Sequence, residues 1–126
     1  MTEKILHKQI CQYLKLAYPS VMFNSDLSGS MRLTIGQAVQ IKSLRSGRGY
    51  PDIVIYEPKG DYHGLFIELK KEGTNILNKS GQPSTPHITE QQECMIKLAE
   101  RGYFCAFAVG WDSAKQTIDD YLHQKF

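Results

Sequence analysis

The chain has 126 residues, of which 41% are hydrophobic and 22% charged, and its formal net charge is +2. This balance suits one globular domain with one core and excludes a disordered chain or a strongly basic nucleic-acid scaffold. No apolar run approaches the roughly 20 residues needed to cross a bilayer, and the first residues lack the apolar centre of a signal peptide. A soluble, cytoplasmic protein without a membrane partner is expected.

In chain order, residues 2–16 predict a helix. Ile5, Leu6, Ile10, Tyr13, Leu14 and Ala17 recur at helical spacing, Thr2 suits the N-cap, and Pro19 stops the run. Residues 21–23 are compatible with a short strand, and the polar residues 24–30 read as a loop. Residues 36–44 carry helical spacing through Ala38, Ile41 and Leu44, and residues 46–51 form a glycine-rich link. From Arg32 to Arg48 the charged residues are Arg32, Lys42, Arg45 and Arg48, with no acid among them. Such a stretch either meets phosphates or is a solvated basic face.

Residues 52–56 and 64–70 are short, rich in β-branched and aromatic residues, and bounded by Gly, Pro and Asp. They predict two strands joined by a hairpin across residues 57–63. Residues 73–86 read as a loop, and Thr89 is expected to cap a helix over residues 90–100, ended by Gly102. The apolar run 103–109 predicts a central buried strand. Residues 111–126 predict a last helix with Asp112 at its N-cap. The order implies an α/β sandwich around one sheet, in one domain over residues 1–126.

The chemistry falls on the two hairpin strands. Asp52 opens the first and Glu68 lies near the end of the second, so pairing brings the two carboxylates together. Two such carboxylates suit a hard divalent cation that retains several waters. Glu68 and Lys70, two residues apart on a strand, point to the same face. Lys70 can then position an attacking water or stabilise charge on a phosphate. A lone Glu-x-Lys is common on exposed strands. Here it ends the apolar run Leu65-Phe66-Ile67, where a charged pair is costly unless it serves something. Pro51-Asp52 and Glu68-Leu69-Lys70 together form the constellation of restriction-type nucleases.

The chain resembles the VRR-NUC (virus-type replication-repair nuclease) domain, in its compact stand-alone phage form. The resemblance spans essentially the whole chain. It rests on Glu3, Gly49-Tyr50-Pro51-Asp52, the strand from Gly64 to Lys70, Gln91, and Gly102-Tyr103. It implies a restriction-endonuclease-like PD-(D/E)XK fold, a central mixed sheet flanked by helices. It also implies Mg²⁺ or Mn²⁺ dependence, no organic cofactor, and endonucleolytic action on branched DNA in repair. Stand-alone members resemble homodimers that resolve four-way (Holliday) junctions, whereas members within larger repair proteins cut flaps. By the same resemblance Asp52, Glu68 and the Leu69 carbonyl hold metal, and Lys70 is the catalytic lysine. Glu3 reaches the site from the first helix, and Gln91 orients Lys70 or the water, with Gln92 its neighbouring alternative. Lys42, Arg45 and Arg48 are the candidate DNA contacts.

The remaining candidates carry less. Cys11, Cys94 and Cys105 lack metal-ligand spacing and read as reduced thiols, the latter two in the core. His7, His63, His87 and His123 read as scattered surface histidines, with only His7, one turn after Glu3, near the site. Asp119 and Asp120 read as solvated helix acids. Tyr13, Tyr18, Phe23 and Tyr50 are surplus to so small a core and suggest a partner-facing surface. A monomeric flap nuclease and a non-catalytic module that binds branched DNA remain the alternative readings.

Overall fold

The computed structural model describes residues 1–126. Helix α1 spans Glu3–Ala17, capped by the Thr2 hydroxyl. Strand β1 (Phe23–Ser25) and a single 3₁₀ turn (Ser28–Ser30) lead to helix α2 (Ile35–Ser43). Strands β2 (Ile53–Ile55) and β3 (Leu65–Lys70) follow, then helix α3 (Pro86–Glu100), strand β4 (Phe104–Val109) and helix α4 (Gly110–Leu122). The sheet order is β1-β2-β3-β4. β1–β2 and β2–β3 are antiparallel and β3–β4 is parallel, so the sheet is mixed. The expected α/β sandwich with a helix-flanked mixed sheet is what forms.

Alternation along β3 decides the layers. Leu65, Ile67 and Leu69 are fully buried with Leu6, Ile10 and Leu14 of α1 and Ala114, Ile118 and Tyr121 of α4. This is the main core. Phe66, Glu68 and Lys70 point to the other face, towards α3, whose Ile88, Cys94 and Met95 are buried outside that core.

Several expectations shift. The first strand lies at Phe23–Ser25 rather than 21–23. Helix α3 starts one turn earlier than expected, because the Thr85 hydroxyl accepts from the Ile88 N–H and Pro86 occupies the first turn. Thr89 lies inside the helix and bonds back to the Thr85 carbonyl. Asp112 is in the first turn of α4, not at its cap, since Gly110 opens that helix at φ +82°. The last helix stops at Leu122, and Phe126 folds back onto Tyr62 with ring centroids 5.1 Å apart. Strand β4 is an edge strand, not a central one. It is apolar because α3 and α4 both pack on it, and most of its residues, Cys105 included, are only half-buried.

Four residues that read from the sequence as surface groups are packed inwards. Asp119 is a hub: Tyr13 and Tyr18 donate their hydroxyls to it at 2.6 and 2.7 Å, and Lys115 donates at 2.8 Å. Tyr13, Tyr18 and Phe23 are partly buried and pack against the core. Helix α2, in contrast, buries no residue at all, although a Thr34–Gln37 capping box starts it.

Candidate active site

Asp52 stands just before β2, and the Ile53–Ile67 pairing sets it opposite Glu68. Two backbone groups clamp it. The Leu69 N–H donates to its Oδ2 at 2.9 Å, and its own carbonyl accepts from the Asp26 N–H at 2.8 Å. Glu68 and Lys70 follow from strand alternation, and both are buried, with Lys70 Nζ 3.8 Å from Glu68 Oε2. Burial pushes the Glu68 carboxyl up to about 9; Asp52 and Glu3 add to the rise, and Lys70 opposes it. This carboxylate is held as an acid unless further positive charge approaches.

Glu3, in the first turn of α1, accepts from the Lys71 N–H at 3.4 Å, at the end of β3. Gln91 is 4% exposed, and its amide nitrogen lies 3.2 Å from His87 Nε2. Its amide oxygen has no partner. Gln92 is exposed, which leaves Gln91 as the member of the pair at the site. Glu3, Asp52, Glu68, Lys70 and Gln91 line one cavity of about 330 Å³.

The basic stretch divides. Arg45 lines the same cavity, paired with Asp26 and donating to Ser28 Oγ at 3.1 Å. Arg48 lines a neighbouring cavity, 3.8 Å from a Glu90 oxygen. Lys42 is exposed on α2 and lines neither. Leu69 keeps its side chain in the core and gives its N–H to Asp52, so only its carbonyl is available as a ligand.

Three residues at the cavity were not singled out from the sequence as part of this site: Asp26, Tyr50 and His87. His87 precedes Gln91 by one helical turn, and the Thr85-Pro86 start signal was the clue to it. His7 is buried on α1 with Nε2 unpartnered, outside this cavity. Burial pushes its imidazole down, against the attraction of Asp52.

No three His, Cys, Asp or Glu side chains converge as a complete protein cage for a metal. Two carboxylates and a carbonyl fit a hard cation that keeps most of its waters, as Mg²⁺ does. The raised Glu68 carboxyl is the kind of group such a charge relieves.

No protein-family profile matches the chain, and no curated protein matches it. Among solved structures, one described as a "VRR_NUC domain protein" superposes with a TM-score of 0.69 at 26% identity, over 98% of this chain and 89% of its own. Another, described as a "VRR_NUC domain", covers 92% of this chain and 97% of its own, at 18% identity and a TM-score of 0.49. The first overlay runs through nearly the whole of both chains, so this chain has the fold of that VRR-NUC domain protein.

Proposed function

We propose that residues 1–126 act as a metal-dependent endonuclease that hydrolyses phosphodiester bonds in branched DNA, resolving four-way junctions as a homodimer. VRR-NUC kinship supports the nuclease class. The observation that carries the reading is the convergence of Asp52, Glu68, Lys70, Gln91 and Glu3 on one cavity, with Glu68 pushed up to about 9.

Asp52, Glu68 and the Leu69 carbonyl would hold Mg²⁺ or Mn²⁺. The ion, when bound, polarises a phosphoryl oxygen and acidifies a bound water. Lys70, anchored beside Glu68, places its ammonium against charge growing on the phosphate. Gln91 has a free amide oxygen for the attacking water and is itself fixed by His87. Glu3 steadies the far side of the cavity through the Lys71 N–H. Arg45 and Arg48 offer positive charge on either side of Tyr50 for the flanking backbone, and Lys42 offers more on α2.

A two-fold dimer supplies the second active site that a symmetric junction needs. Helix α2 and its C-cap support it: Ile35 and Val39 of the helix and Leu44 at the cap are 86%, 61% and 84% exposed, and the helix has no fully buried residue. The deciding assay is cleavage of labelled four-way, flap, fork and linear DNAs with Mg²⁺, Mn²⁺ or a chelator, beside sedimentation equilibrium. Paired cuts in four-way junctions by a dimer, lost in chelator, are expected. Junction binding without cleavage in either metal would make the chain a binding module. A monomer that prefers flaps would remove the junction-resolving role.

A further inference from the structure

The molecule has a larger cavity than the one that holds the carboxylates. It lies next to it, has a volume of about 470 Å³, and shares Tyr50 as a common wall. The link before Asp52 forms one side and the outer face of α3 the other. Gly49 allows this closeness: a Cβ there would lie 2.5 Å from the Glu90 carbonyl oxygen.

The two sides differ in chemistry. The floor contains Cys94, buried, and Leu98, half-buried, with the 40% exposed Tyr50 beside them. The mouth carries Arg48, Lys97 and Arg101, all exposed. Arg101 is turned back along the helix by a 2.7 Å bond to the Lys97 carbonyl. Of the two acids present, Glu90 is already engaged by Arg48, and Glu93 stands at the rim.

An aromatic and apolar floor under a cationic mouth matches a nucleotide, with a face to stack and a phosphate to neutralise. The volume falls in the roughly 300–1,000 Å³ range of sites that enclose one small ligand. A base inside a duplex is stacked on both faces and cannot enter, so the occupant must be unpaired. We propose that this cavity seats the unpaired nucleotide next to the scissile phosphate, its base against Tyr50 and Leu98 and its phosphate on Lys97 and Arg101. The inference rests on the nuclease reading and deepens it: beside the cut the enzyme takes up a nucleotide freed from its partner strand, as a four-way junction offers once pairs at its crossover open.

Two measurements test it. Titration of dTMP into ¹⁵N-labelled protein without metal should shift amides of residues 46–50 and 94–101, and Lys97→Glu/Arg101→Glu should abolish the shifts. Both positions are exposed, and circular dichroism checks that the variant folds. On forks differing only in whether the nucleotide beside the cut is paired, the variant should raise KM about tenfold for the unpaired form alone, with kcat unchanged. Equal shifts from inorganic phosphate would reduce the cavity to an anion site and overturn the proposal. So would an equal loss on both forks, or intact cleavage with no dTMP shifts. Retained dTMP shifts with no cleavage of any DNA would instead sink the nuclease reading and leave the nucleotide seat standing.

Discussion

Removing the charge of Glu68 should make the metal-free protein more stable at alkaline pH, although it removes a residue of the site. In the folded chain this carboxyl holds its proton up to about 9, against 4.5 for the ordinary group. Between those values the native state binds one proton more than the unfolded state, so stability falls as pH rises. The contribution is fully present below the unfolded value and is lost through the folded one. One proton corresponds to about 1.4 kcal/mol per pH unit, so raising pH from 7 to 8.5 costs about 2 kcal/mol. For a chain of this size that lowers Tm by about 8 °C. His7 is pushed down by burial, so its linkage lies below this window. Burial pushes up the thiols of Cys94 and Cys105, which adds a slope of the same sign in both proteins; Glu68 adds to the Cys94 rise, so its removal lessens that slope too. Thermal melts in chelator at pH 7.0, 7.5, 8.0 and 8.5 should therefore show a steeper fall for wild type than for Glu68→Gln. Saturating Mg²⁺ should flatten the wild-type fall. Equal slopes in the two proteins without metal would refute the assignment of a high-affinity proton to Glu68.

Three further outcomes follow from the geometry. Lys70→Ala should slow single-turnover cleavage by about 10²–10³-fold and leave junction affinity intact; parallel loss of both would make Lys70 a phosphate anchor. Gly49→Ala combines a left-handed backbone cost of about 1–2 kcal/mol with overpacking of about 1–3 kcal/mol against the Glu90 carbonyl. Urea denaturation should show the sum, and a neutral result would contradict the close approach of the link to α3. Asp119→Ala removes the acceptor of the Tyr13 hydroxyl and leaves Tyr18 only its 3.4 Å contact with His123 Nε2; it should cost about 1 kcal/mol, with cleavage at permissive temperature unchanged.

The placement of the candidate site residues was legible because it is written in short-range pattern. Strand alternation puts Glu68 and Lys70 on one face, and a hairpin must bring the start of β2 beside the end of β3. Helical spacing likewise separates Gln91 from Gln92. Less legible was whatever depends on two elements at once. Thr85 and Thr89 are both acceptable caps, and only Pro86 distinguishes them, so the choice of Thr89 hid His87 from view. The run 103–109 reads as central because helices cover both its faces, a condition that apolarity reports without revealing the missing neighbour strand. The Tyr13 and Tyr18 bonds to Asp119 join residues more than 100 positions apart, and no local signal announces them. The basic stretch looked uniform, yet Arg45 is taken up by Asp26, while Lys42 stays on a helix that touches no core.

That helix has a thermodynamic consequence. Nine residues are too few for a helix to persist on its own in water, where about 12–15 are marginal. Without buried side chains, α2 is held chiefly by its caps and its tethered ends. Its opening free energy therefore lies near the bottom of the molecule's range, and its amides exchange with solvent without global unfolding. Whatever covers Ile35, Val39 and Leu44 must also meet the entropy of keeping the helix wound. The Thr34 cap, which touches no covered surface of its own, thereby becomes a dial on association: its loss, about 1 kcal/mol of helix stability, would weaken docking about fivefold while leaving every contact residue in place.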